Sequence, residues 1–250
     1  MIVSSYPDVL NTQSIYSADW QTQVGRGKIP GVTNLNFNGY QGNLGTTFMP
    51  VWDANTTYTY PVSASTMLLY STSASDTALQ IRIEGLDASY NALSETITLT
   101  NGTTGVTTAN SYFRIQSISI VTTSSNNPVG NIILGNAGKT AIYAQLNDGN
   151  GRSNMTLYTV PAGYTFYLTQ VNAFSDQKSN AVTYYRSYTR SPTGITNIIR
   201  NVPFTISYLS TRVTPRPYPE KSDIQWQCAS SATSAVGLQI EGLLIANTAP

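Results

Sequence analysis

Apolar residues in this chain recur at every second position and almost never at helical spacing. No window sets them at i, i+3, i+4 and i+7 with good helix formers between. Thr, Val, Ile and Tyr dominate instead, and such side chains suit a pleated, half-buried surface. Gly, Pro and Asn cut the chain into short segments at brief intervals. This pattern predicts an all-β fold.

The alternation is clearest over 78–86. Leu79, Ile81 and Ile83 face one way, and Gln80, Arg82 and Glu84 face the other. Segments 57–62, 66–71, 95–100, 112–121 and 130–135 read as further strands, with Asn101-Gly102 as a turn. A Gly-rich stretch, Gly135-Asn136-Ala137-Gly138, reads as a joint to a second β block. That block holds strands at 141–146, 157–164, 166–173, 182–188, 203–213, 223–229 and 236–245. The two blocks share a thin likeness: Ile81-Arg82-Ile83-Glu84-Gly85-Leu86 resembles Leu238-Gln239-Ile240-Glu241-Gly242-Leu243. Short strands at this spacing predict two jelly-roll or β-sandwich-like domains, over 51–137 and 138–250.

Residues 1–50 lack sustained alternation but hold Trp20, Ile29, Phe37, Tyr40 and Phe48, with Trp52 just beyond. Apolar surface left in water costs about 25 cal/mol per Å². The segment therefore reads as an extended N-terminal arm that docks on a neighbour.

Composition narrows the chemistry. The 250 residues include no His and one Cys, Cys228. This excludes a Ser-His-Asp or Cys-His arrangement, His-ligated metals, an internal disulfide and an iron–sulfur cluster. A net charge of +1 argues against a general phosphate-backbone binder. No apolar run of membrane-spanning length occurs, and Met1–Pro7 lack the basic and apolar stretches of a secretion signal. A hydrophobic fraction of 40% is enough for a folded core.

Candidate sites are weighed against plainer roles. Glu84 and Glu241 each precede Gly-Leu, but nothing in the sequence pairs them as a glycosidase requires. Asp148-Gly149-Asn150-Gly151, with Asn147, offers oxygens to calcium, yet reads better as a hairpin turn. Cys228 beside Trp226 reads as a buried apolar residue. Thr214–Glu220 carries prolines at alternate positions and reads as a stiff loop. Between Lys178 and Tyr218 the chain has six basic residues, Lys178, Arg186, Arg190, Arg200, Arg212 and Arg216, and no acidic one. They alternate with Tyr184, Tyr185, Tyr188 and Tyr208. Tyr and Arg are enriched in protein–protein contacts. The expected interface is therefore this segment together with the aromatic residues of the arm. No catalytic residue, metal or cofactor is expected.

Several segments resemble a family of virion structural proteins of tailed bacteriophages. They are Val51-Trp52-Asp53 with Tyr58-Thr59-Tyr60-Pro61, residues 76–87, Glu95–Leu99, Tyr158–Gly163 and Glu220–Ile224. The resemblance spans about residues 50–245 and implies a particle component. The expectation is a head decoration or cement protein made in the host cytoplasm and carried on the capsid exterior. Its partners would be the major capsid protein or other virion proteins, in a homo-oligomer with a trimer favoured. Nucleic acid and membrane are not expected partners. The alternative is a tail fibre, tail-hub or receptor-binding module that contacts host-surface glycan.

Overall fold

The structure is a computed structural model that describes residues 20–121, 127–176 and 180–249. The described residues begin with a short helix, α1 (Trp20–Gly25), then β1 (Val32–Leu44) and β2 (Met49–Pro50). Next come β3 (Leu68–Ser71), β4 (Leu79–Leu86), β5 (Ala92–Leu99), β6 (Val106–Thr107), β7 (Arg114–Ile120), β8 (Ile132–Gly135) and β9 (Ile142–Leu146). The chain ends with β10 (Leu157–Thr159), β11 (Tyr164–Ser175), β12 (Thr183–Arg190), β13 (Thr196–Phe204), β14 (Ser207–Tyr218), β15 (Asp223–Ser230) and β16 (Ser234–Ala246).

The fold is all-β and builds two sandwiches. In the first, the sheet β6-β3-β8-β9 packs against β5-β4-β7. Its core is mostly aliphatic, with Leu69, Ile81, Ile83, Leu99, Ile118, Ile132 and Leu134 among its members. In the second, β1-β16-β11-β14 packs against β10-β15-β12-β13, with β2 joined to β15. Its core is aromatic: Phe37, Tyr158, Phe166, Tyr218 and Trp226 lie ring against ring, with centroid separations of 5.1–6.4 Å.

The expected arm docked on a neighbour is corrected from residue 32 onward. β1 pairs along its length with β16 of the same chain, from Val32↔Ile245 to Leu44↔Ser234. Leu35, Phe37 and Leu44 join the second core, so their apolar surface is covered within the chain. Residues 1–19, the rest of the expected arm, lie outside the described residues, as does Lys178.

The joint at 135–138 is corrected too. Gly135–Gly138 turns β8 back onto β9 in the same sheet, with Gly135↔Ile142 and Leu134↔Ala144 paired. The first sandwich thus continues to about residue 156 and is inserted between β2 and β10 of the second. The chain enters and leaves it through adjacent antiparallel segments. Trp52 bridges Met155, Thr156 N donates to Val51 O at 3.1 Å, and Asp53 N donates to Asn154 O at 3.0 Å. A second tie lies beyond this neck. Arg114 of β7 donates to both carboxylate oxygens of Asp223 on β15, at 2.8 and 3.0 Å, with both side chains buried.

Two local expectations also change. Residues 57–62 form no strand; Tyr58 packs edge-on to both Trp52 and Tyr60, and Tyr60 lies against the Arg114 guanidinium. The proline-rich loop is the last part of β14, where Phe166 faces Tyr218 and Tyr167 faces Pro217. Proline is tolerated there because β14 is an edge strand with an unpaired side.

The likeness between the two Ile-x-Ile-Glu-Gly-Leu-type stretches has a structural counterpart. Both lie on the middle strand of a three-strand run, β5-β4-β7 and β1-β16-β11. In each, the partner strand bulges at the Glu-Gly step, skipping Gln116 on β7 and Thr169 on β11. Each glycine receives an aromatic neighbour: a Cβ on Gly85 would lie 2.7 Å from the Tyr112 ring, and one on Gly242 would lie 2.5 Å from the Phe166 ring.

Candidate interaction surface

β13 and β14 follow one another in the chain but belong to different sheets, and each pairs on one side only. They leave one flank of the second sandwich with two open strand edges. This flank and its connecting turns expose Ile195, Ile198, Ile206, Leu209 and Val213, Val213 fully. Leu209 and Val213 point outward because β14 alternates, with Tyr208, Ser210 and Arg212 turned inward and half-buried.

The Tyr/Arg segment of the sequence maps onto β12–β14, and alternation splits it. Tyr184, Arg186, Tyr188 and Arg190 lie on the outer face of β12, whereas Tyr185 is buried in the core. The Arg186 guanidinium lies 4.0 Å from the Phe48 ring centroid and donates to Gln227 Oε1. Arg200 sits on β13. Arg216 lies over the Tyr218 ring, while Tyr218 itself is buried. Among the described residues, none of Arg186, Arg190, Arg212 and Arg216 pairs with a carboxylate.

The expected interface is therefore reduced. Trp52 is fully buried in the first core, and Phe37, Tyr185 and Tyr218 belong to the second. Ile29 is buried in the segment that leads into β1. Trp20 and Tyr40 remain nearly half exposed, but they lie on the β1 side of the molecule. The surviving candidates are Tyr184, Arg186, Tyr188, Arg190 and Arg216, with Arg200 on the same flank. Sequence reasoning missed Ile195, Ile198, Ile206, Leu209 and Val213. Their signal was available, since Ile198, Leu209 and Val213 fall on the two edge strands and Ile195 and Ile206 in the turns that lead into them, within the same basic stretch.

Three cavities lie elsewhere. A groove of about 340 Å³ between the sandwiches has Leu35, Phe37, Leu86 and Leu244 on its walls and Glu84 with Arg152 at its border. Glu84 accepts from Ser117 Oγ at 2.9 Å and pairs with Arg82 at 3.1 Å. Glu241 lines a different cavity, with Trp20 and Asn34, so the two glutamates do not face one reacting bond. A third cavity beside the neck is lined by Asn38, Tyr40, Asp53, Asn147, Asn150, Asn154, Phe174 and Gln239.

Asp53 is a buried carboxyl with a raised pKa. Burial raises its pKa to about 6, against the opposing pull of the Asn154 backbone N–H at 2.7 Å. Asn147 and Asn150 close the turn expected over Asp148–Gly151, with Asn150 N donating to Asn147 O at 3.1 Å. The Cys228 thiol is buried, and burial pushes its pKa up, which disfavours the reactive thiolate. No group of three or more acidic, His or Cys side chains suited to a metal occurs among the described residues.

Comparison with protein-family models returns no match, and comparison with curated proteins returns none.

Proposed function

We propose that this chain is a structural component of a phage particle, a head decoration or cement protein that links and stabilises neighbouring capsid subunits. The observation that carries the reading is the open flank formed by β13 and β14. An unpaired strand edge is a template for another chain, and monomers usually protect such edges with charge, proline or a covering segment. Here prolines guard only the ends of the two strands, Pro203 on β13 and Pro215 and Pro217 on β14, while Leu209 and Val213 stand in solvent. Apolar surface of this kind fits a partner better than water.

Charge indicates the partner's character. The stretch 178–218 has no acidic residue, so its complement is an acidic surface on the capsid subunit. Residues 51–156 carry six carboxyl side chains against four basic ones, the opposite balance. Copies can therefore also meet head to tail, and such contacts close into rings, with a trimer suited to local three-fold positions. Linking subunits requires no titrating group or cofactor. The particle itself is inferred from the resemblance over residues 50–245.

The test mixes purified protein with emptied heads and follows their disassembly temperature. Binding that raises this temperature, and that Leu209→Lys with Val213→Lys abolishes, is the expected result. Heads that neither bind the protein nor gain stability overturn the reading. Copy number gives a second measure: hundreds per virion are expected, whereas about 3–18 would move the protein to the tail.

A further inference from the structure

The cavity beside the neck differs in kind from the β13–β14 flank. Its outer rim is aromatic. Tyr40 on β1, Gly237 on β16 and Phe174 on β11 lie in one row across the sheet, since Tyr40 pairs with Gly237 and Phe174 pairs with Gly237. Gly237 has no side chain, and the Phe174 ring occupies the vacated space. A Cβ at 237 would lie 2.0 Å from Phe174 Cζ. The ring therefore rests on the sheet and turns an open face outward, with the residue 51% exposed. Tyr40, 48% exposed, stands two strands away, about 9–10 Å across the sheet.

Carboxamides surround this platform. Asn38 and Gln239 come from the second sandwich; Asn147, Asn150 and Asn154 come from the first. Asp53 is buried beneath them, accepting from Asn154 N at 2.7 Å and from Asn147 Nδ2 at 3.2 Å. Asn147 is held in turn by Gln145 Nε2 at 2.7 Å, so the inner wall is set before any ligand arrives. Among the described residues, the Asn38 and Asn150 side chains have no hydrogen-bond partner, and Asn154 Oδ1 and Gln239 Oε1 accept no hydrogen bond. No Lys or Arg lines the cavity.

We propose that this cavity is a binding site for neutral saccharides, with the pyranose C–H face stacked on Phe174 and Tyr40 and the hydroxyls paired to the carboxamides. A flat exposed ring offers an apolar face the size of a sugar ring. Planar amides donate and accept together, as vicinal hydroxyls do. The missing cations and the Asp53 carboxyl disfavour anionic sugars. Pockets with an apolar wall and a few convergent polar groups commonly form where two units meet, as here. The site uses none of the β12–β14 residues and holds whether or not that flank meets a capsid.

The test is an NMR titration of the ¹⁵N-labelled full chain with a panel of neutral mono-, di- and trisaccharides, with sialyllactose as the anionic comparison. The expected result is saturable movement of the Asn38, Asn150 and Asn154 side-chain amide signals, with at least one disaccharide binding at about millimolar affinity. Phe174→Ala and Tyr40→Ala, both at exposed positions, each weaken binding at least tenfold. Gly237→Ala displaces the ring and weakens it similarly, while Trp20→Ala leaves it unchanged. The proposal is overturned if no neutral sugar gives saturable shifts. Shifts that survive both Phe174→Ala and Tyr40→Ala, or equal binding of sialyllactose, overturn it as well.

Discussion

Of the large apolar side chains left exposed, Val62 and Val129 belong to the first sandwich. Tyr40, Phe174, Tyr184, Ile195, Ile198, Ile206, Leu209 and Val213 belong to the second, and Trp20 to the short helix before it. Both sandwiches have closed cores, so the difference lies in their outer faces and edges. In the first, Glu84 joins Arg82 and Ser117, and Asp76 accepts from the backbone of Val129 and Gly130. In the second, among the described residues, Arg186, Arg190, Arg212 and Arg216 form no ion pair with a carboxylate. The comparison separates two roles that composition alone merged: the first sandwich pairs outer charges within itself, and the second leaves apolar and cationic surface open.

The largest expected effect falls where the two meet. Arg114→Ala leaves Asp223 buried without its partner, which should cost about 3–5 kcal/mol. The pair also joins the sandwiches, so urea unfolding should change from one transition to two as the second sandwich loosens first. A single transition at the original midpoint would show that the neck alone couples them.

Asp53 gives the next effect and has a defined sign. Its pKa is about 6 in the folded chain against 3.8 for a free side chain, so between these values the folded state binds more protons. Stability from this group is therefore greatest below pH 3.8, falls as pH rises to about 6, and is flat above. The full span corresponds to on the order of 2–3 kcal/mol. Asp53→Asn should remove this slope. A carboxyl-carbon NMR titration that puts Asp53 near the free value would refute it.

Glycine substitutions sharpen the contrast between neck and outer face. A Cβ at Gly39 would meet the Val51 backbone oxygen at 2.1 Å and Thr156 Cγ2 at 2.5 Å, neither of which can withdraw. Gly39→Ala should cost about 1–3 kcal/mol. Gly237→Ala meets only the far edge of an exposed ring and should shift stability by less, about 0.5 kcal/mol. Equal costs, read by thermal denaturation, would mean that the Phe174 ring is held more firmly than its exposure implies. The smallest effect belongs to the open flank: Leu209→Lys with Val213→Lys should change stability by at most about 0.5 kcal/mol while improving solubility. A large loss of stability would reveal that these side chains belong to the fold rather than to a partner.

Much of the first sandwich was legible because its strands alternate without interruption. β4 lies within one residue of the segment read from Leu79, Ile81 and Ile83. β1 was not legible, for a definite reason. Its inward positions are Leu35, Phe37, Gly39, Gln41, so the apolar pattern stops halfway along the strand. Gly39 is required where Val51 and Thr156 close in, and no local signal reveals a partner some 200 residues later. The interface was half legible. Charge drew attention to β12–β14, but counting every Tyr and Arg ignored the two-residue period that sends Tyr185 inward and Tyr184 outward. The saccharide cavity was not legible, because it joins residues 38–53 to 147–154, 174 and 239.

The inserted arrangement has a consequence for synthesis. β1 leaves the ribosome before β16, its sheet partner among the described residues, which is made 190 or more residues later. At roughly 5–20 residues per second, β1 waits about 10–40 s with Leu35 and Phe37 uncovered. The first sandwich lies wholly within that interval and can close before β16 exists. It then holds Val51 and Thr156 side by side, bringing the early strand to the place where the late one will arrive.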